Sequence, residues 1–242
     1  MFIANMMYPY GGGIDPWMIA VLVAFGLSLL ASFYVKFAFN KNKKVQGSRG
    51  ITGAQAAQRI LSSMGLQDVR IEKAHGSGLS DHYDPRSRVL RLSEEVYGST
   101  SVAALGVAAH ECGHAVQHHK QYFPLTFRNA MVTPVNIAAS LAMPIFTLGF
   151  LFFQSNLMLL IGIILFSFSV AFHLITLPVE FDASFRALSL LDQTEVLTRR
   201  EQGPAKQVLF AAALTYVASA IVVLMQLLRL IALSGGRSSR RR

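Results

Sequence analysis

The stretch Val107 to His119 reads VAAHECGHAVQHH and holds four of the chain's seven histidines. Within it, His110, Glu111 and His114 form an H-E-x-x-H pattern. Positions i and i+4 of a helix stack on one face, so His110 and His114 can aim imidazole nitrogens at a single Zn2+ ion. Glu111, one residue on from the first histidine, is then placed to take a proton from an attacking water instead of binding the metal. A zinc ion lowers the pKa of water to about 7, which gives hydroxide at neutral pH and hence the chemistry of peptide-bond hydrolysis. Five residues alone are a moderately specific signal. Here Val102, Ala104, Leu105, Val107, Ala108, Ala109, Ala115 and Val116 make the helix apolar on most faces, so His110, Glu111 and His114 are expected to be buried and to need partners. A metal supplies one.

Two histidines are half a site, and the rest must come from elsewhere in the chain. His118 shares the face of His110 but lies about 12 Å further along a continuous helix, too far to meet the same ion. A zinc class with a third histidine ten residues after the first is disfavoured, because Lys120 stands there. Cys112 points to the stripe of Leu105, Ala108, Ala109 and Val116 and reads as a packed thiol. The stronger candidate is Glu180 in LITLPVEFDASFRA, where Pro178 is expected to break or restart a helix and leave Glu180 in its first turn. Asp182 is an alternative, although Arg186 four residues on offers it a helical ion pair. His173 sits inside an apolar span, where either function or helix packing explains it. The segment SDHYDPRS reads as a polar loop with turn chemistry at Asp84-Pro85, and His82 or Tyr83 is a candidate to reach the substrate carbonyl.

The elements that must position these residues are mostly those of a membrane protein. Of 242 residues, 52% are hydrophobic and only 14% charged, outside the usual range of soluble domains. Trp17 to Val35, Val135 to Phe153, Leu157 to Leu177 and Val208 to Leu228 each run about twenty residues without Asp, Glu, Lys or Arg, the length a helix needs to cross a bilayer. Met1 to Pro16 contain no Lys or Arg and the first apolar run is too long for a signal peptide, so it is expected to remain as an anchor. The net charge of +9 does not imply nucleic acid, since the basic residues cluster beside the spans and no nucleic-acid motif accompanies them. One cysteine excludes an intrachain disulfide framework.

Between the spans, Thr52 and Gln55 form a capping-box signature for a helix over 53 to 65. Val69-Arg70-Ile71-Glu72 and Leu90-Arg91-Leu92 alternate as two short strands flanking a loop from Ala74 to Ser87. Ser101 can cap the helix that carries the histidines. The fold class is therefore a mainly α membrane protein with about four transmembrane helices and a small α+β catalytic region. Its divisions are an anchor over 1–40, the catalytic region over 41–130, a transmembrane hairpin over 131–178, the third-ligand helix and linker over 179–206, and a fourth apolar segment with a basic tail over 207–242.

The cluster Lys36, Lys41, Lys43, Lys44 and Arg49 places the end of the first span in the cytoplasm, and the tight connection at Gln154, Ser155 and Asn156 returns the chain there. Both halves of the metal site then share the cytoplasmic side of a plasma membrane. Four spans put the tail with Arg237 and Arg240 to Arg242 outside, against the charge rule, unless the segment interrupted by Arg229 does not fully span.

Taken in order, TGAQAAQRIL, SDHYDPRSRVLRLSEEVYGS, VAAHECGHAVQH and LPVEFDASFRA resemble the YugP-type membrane zinc metallopeptidases of bacteria and, more distantly, the HtpX-type and CAAX prenyl proteases. That resemblance implies a zincin-like (gluzincin) catalytic region with one catalytic Zn2+. It also implies His110, His114 and Glu180 as ligands and Glu111 as general base. The distant relatives carry an aspartate four residues after the third ligand, where this chain has Ser184, so Ser184 or Asp182 is left to orient a neighbour. The substrate implied is a membrane or membrane-associated polypeptide, and the partners are the lipid bilayer and an unidentified regulatory protein, with no nucleic acid. A metal-binding scaffold without activity would not need Glu111, and a transporter would place more ionisable residues than His173 within its spans.

Overall fold

The computed structural model describes residues 15–74 and 80–239. The sequence expectations for the uncharged N-terminus, for the glycine-containing part of the 74–87 loop and for the arginine tail fall outside the described residues and side chains. The chain divides into two compact units, one drawn from Met1–Leu30, Phe127–Thr176 and Tyr216–Arg242, the other from Ala31–Thr126 and Leu177–Thr215. Among the described residues, four helices are long and apolar enough to cross a membrane: α1 (Pro16–Asn42), α5 (Phe123–Leu151), α6 (Asn156–Gln193) and α7 (Gln202–Ser239).

In the first unit, α5 and α6 form the expected hairpin, with Gln154 in the left-handed region at φ 49° and the Ser155 hydroxyl accepting from the Met158 N–H. The two helices approach closely because Gly162 has no Cβ, which would otherwise stand 2.7 Å from that of Phe146. Small residues permit such packing where lipid supplies no hydrophobic drive between helices. Arg229 does not interrupt the fourth helix. It is buried and donates from Nε to the Oδ2 of Asp15 at 2.9 Å, while Asp15 Oδ1 accepts the Trp17 N–H at the start of α1. A paired guanidinium can be accommodated within an apolar helix where an isolated one cannot.

The second unit holds the α+β region. Thr52 and Gln55 form the predicted capping box, and α2 (Gly53–Ser63) buries Ala56, Ala57, Ile60 and Leu61. Strands β1 (Arg70–Lys73), β2 (His82–Asp84) and β3 (Val89–Leu92) make a sheet of order β1-β3-β2, with Ile71 and Tyr83 both opposite Leu90. The strand β2 lies within what the sequence reads as a loop. Its three residues have little alternating apolar pattern to announce them; pairing with the buried β3 and a turn closed by Asp84, which accepts from Arg86 N and Ser87 Oγ, hold it instead. A short helix α3 (Glu94–Tyr97) leads to α4 (Val102–His119), capped by Ser101 accepting from Ala104 N. The core combines Ile60 and Leu61 of α2, Leu90 and Leu92 of β3, and Leu105, Ala109 and Cys112 of α4. Cys112 is the packed thiol expected, with Sγ directed at the Ala57 carbonyl and burial raising its pKa.

Pro178 does not end a helix. The α6 helix continues through it, so Glu180 is a mid-helix residue and not a first-turn one. Proline removes one backbone donor and strains one turn. Here the fully buried Val179, Ala183 and Ala187 anchor the segment beyond it, and helix runs on both sides.

Candidate metal centre

Helix α4 places His110 and His114 one turn apart, their rings in an edge-to-face arrangement with centroids 4.8 Å apart. Helix α6 brings Glu180 to them. Its Oε2 lies 3.3 Å from His110 Nε2 and 3.7 Å from His114 Nε2. One ligand atom from each of the three residues falls within 4.8 Å of the others, and Glu180 is buried. The close approach of the helices depends on Gly113: a Cβ there would stand 2.6 Å from the Ala183 carbonyl oxygen. The residue just before the second histidine is thus small for a steric reason.

The donor set suits zinc, which favours imidazole nitrogen and carboxylate oxygen in a three-residue catalytic site with one position open. Both Nε2 atoms face the carboxylate because both Nδ1 atoms are engaged elsewhere. His110 Nδ1 is 3.2 Å from Ser184 Oγ, and His114 Nδ1 is 3.0 Å from Gln117 Oε1. Asp182 forms the expected pair with Arg186, whose Nε donates to Oδ2 at 2.5 Å, and the same oxygen accepts from Gln117 Nε2 at 2.8 Å. Burial pulls the His114 pKa down, but the hydrogen bond to Glu180, the charges of Glu111 and Glu180, and the contact with Gln117 outweigh it and hold it above the ordinary histidine value. Glu111 is also buried, beside these residues on the same helix.

The other sequence candidates fall outside the cluster. His118 is bonded to Tyr83, its Nδ1 lying 2.9 Å from the phenolic oxygen, and burial lowers its pKa. His82 is exposed at the sheet edge, its Nδ1 2.8 Å from the Ser80 carbonyl. His173 Nδ1 bonds the Ser169 carbonyl one turn back on α6, within its own helix. Asp81, from the same segment as His82 and Tyr83, accepts from the Ser93 N–H and hydroxyl; burial raises its pKa against those bonds, and the Glu111 charge adds to the rise. Sequence reasoning missed Gln117. Its signal was a polar side chain three residues beyond His114 on an otherwise apolar helix.

Comparison with known proteins places the chain in a family. A family described as "putative neutral zinc metallopeptidase" matches residues 17–235. The Bacillus subtilis (strain 168) protein named "Putative membrane protease YugP" is 49% identical over 210 residues, covering 87% of this chain and 92% of that protein. No solved structure matches. Together with four apolar helices, this describes an integral membrane protein whose cofactor is Zn2+ and whose substrate is a polypeptide. A match from the first transmembrane helix almost to the end of the fourth leaves one assignment: the chain belongs to the family of neutral zinc metallopeptidases.

Proposed function

We propose that this protein is a membrane-embedded zinc endopeptidase of the gluzincin type, with a zincin-like catalytic region that cuts membrane or membrane-associated chains near the cytoplasmic face of a bacterial plasma membrane. The observation that carries the reading is the convergence of His110 Nε2 and His114 Nε2 on one helix with a carboxylate oxygen of Glu180, 66 residues beyond His114 on another. These three residues would hold the ion. When bound, zinc supplies positive charge that acidifies water and polarises a carbonyl.

Glu111 does the proton work in this scheme. Adjacent to His110 but outside the ligand set, it accepts a proton as water attacks the scissile carbonyl and returns it to the departing nitrogen. Of the pair His82 and Tyr83, Tyr83 is the one we place toward substrate, because β2 packs against α4 and Tyr83 reaches that helix through His118. Its O–H would favour negative charge on the carbonyl oxygen.

Zinc content and cleavage of an unfolded polypeptide, measured on purified protein, test the reading. Glu111→Gln should keep zinc and lose activity by about 10²- to 10⁴-fold, because an amide cannot accept the proton. Near-wild-type turnover in that variant sinks the mechanism. His110→Ala and His114→Ala should each be depleted of zinc.

A further inference from the structure

The two histidines are not supported alike. Ser184 faces His110 Nδ1 with a hydroxyl, which can donate or accept and so leaves the ring's tautomer open. Gln117 faces His114 with an amide whose orientation is settled by its other contacts. Its Nε2 lies 2.8 Å from the Val179 carbonyl and 2.8 Å from Asp182 Oδ2. Both of those groups only accept, so Nε2 uses its two hydrogens there and Oε1 is left as an acceptor. His114 Nδ1, 3.0 Å from Oε1, must then carry the hydrogen, and in the neutral ring Nε2 is the bare nitrogen that faces Glu180. Gln117 is fully buried, and Arg186 closes the chain by donating to Asp182 while its guanidinium lies 5.9 Å over the Tyr122 ring.

We infer that Gln117 is a positioning residue for the metal site: a buried amide, oriented by Val179 and Asp182, that fixes His114 in the tautomer able to bind zinc through Nε2. The same side chain bonds the residues on either side of Glu180, so one amide holds the second histidine and the third ligand's helix in register. This rests on the ligand assignment proposed above. Neither the sequence pattern nor the family comparison assigns Gln117 a role.

A direct test measures zinc affinity by competition with a fluorescent chelator, on full-length protein in detergent. Gln117→Met keeps the volume but removes acceptor and donor. Zinc should bind about 10- to 100-fold more weakly, the range expected when a partner behind a ligand is lost. The exchanged pair Gln117→Glu with Asp182→Asn separates orientation of His114 from simple packing. Its carboxylate still accepts from Nδ1 and from the amide introduced on α6; the bond to Val179 is lost, and Arg186 has to move from the atom it shares with Gln117 in the wild type to the oxygen of that amide. If fixing His114 is the role, this pair binds zinc at least about tenfold more tightly than Gln117→Met; if the residue only ties helices together, the pair is as weak or weaker. Wild-type affinity in Gln117→Met, or an exchanged pair no better than it, overturns the inference. Should Gln117→Met fail to fold, an exchanged pair about tenfold or more weaker than wild type overturns it, and one closer to wild type sustains it. His114→Ala separates the two readings: undiminished zinc affinity there overturns the ligand assignment itself, whereas its loss beside a wild-type affinity in Gln117→Met overturns this inference alone.

Discussion

Asp15 in the first compact unit and Glu180 in the second are both buried carboxylates with polar partners, and the two burials have opposite consequences. In the first unit Asp15 is saturated: one oxygen takes the Trp17 N–H and the other the Arg229 guanidinium, a closed pair of opposite charge. In the second, Glu180 meets two imidazole nitrogens whose second nitrogens are already committed to Ser184 and Gln117. With the His114 Nδ1 hydrogen held by Gln117, a neutral His114 presents a bare Nε2 to the Glu180 carboxylate, and an acceptor facing an acceptor suits a cation between them. On the proposed ligand assignment, the hydrogens facing the carboxylate are what separate this set from the ion pair at Asp15.

The largest expected effects break this contrast at its centre. Glu180→Ala should lose most of its zinc and with it activity, whereas Asp15→Asn, which can still cap α1, should leave zinc content unchanged. Metal analysis of the two purified variants checks it; zinc retained by Glu180→Ala would return Asp182 or His173 to consideration as ligand. Next in size is the ion pair. Arg229→Met leaves a buried carboxylate without its guanidinium, which costs about 3–5 kcal/mol, while Asp15→Asn with Arg229→Met removes both charges and should recover most of that loss. Unfolding in detergent micelles reads the difference, and a double variant as unstable as Arg229→Met would show that Arg229 acts through other contacts.

How far the sequence foretold these two clusters follows from the range of its signals. His110, Glu111 and His114 are linked by helical spacing, a local rule that survived into α4 unchanged. Glu180 needed a partner 66 residues away from His114, and the reasoning that selected it was partly wrong: Pro178 starts no helix, yet the residue still reaches the histidines because α6 runs through. Arg229 looked like an interruption because its neutralising partner lies 214 residues away at Asp15, and no local pattern joins them. The strand β2 was hidden for a similar reason. Its three residues carry weak preference and are held by pairing with β3. Gln117 was passed over because a polar residue on a helix reads as solvent-facing until its burial is known.

A smaller effect concerns pH. On the proposed ligand assignment, zinc and a proton would compete for His114 Nε2, while Nδ1 keeps its hydrogen for Gln117. Because the pKa of His114 in the metal-free fold is raised above 6.5, zinc uptake near that pH should release a proton from the protonated fraction, and affinity should climb as pH rises through the raised value. The sign for stability is opposite. Without metal, protonated His114 stabilises the fold fully below the unfolded value of 6.5, and this contribution is lost as pH rises through the folded one. Calorimetric zinc titration in buffers of different ionisation enthalpy counts the proton; none released at pH 6.5 would mean that His114 is already neutral there.

The smallest expected change is Ser184→Ala, and it sharpens the comparison between the two supports. Ser184 occupies the position where distant relatives place an aspartate, so position alone would make it the more important partner. Its chemistry argues otherwise. A neutral hydroxyl 3.2 Å from His110 Nδ1 forms a modest bond, does not dictate which ring nitrogen holds the hydrogen, and belongs to a half-buried residue whose place water can take. Gln117, fully buried and oriented by two acceptors, has no such substitute. Ser184→Ala should therefore weaken zinc binding by less than about tenfold, the lower end of the range for groups behind a ligand, and by less than Gln117→Met in the same assay. Ser184→Asp should restore a fixed acceptor for His110 Nδ1–H and bind zinc at least as tightly as wild type. A larger loss in Ser184→Ala than in Gln117→Met would reverse the ranking and show that the first histidine, not the second, depends more on its support.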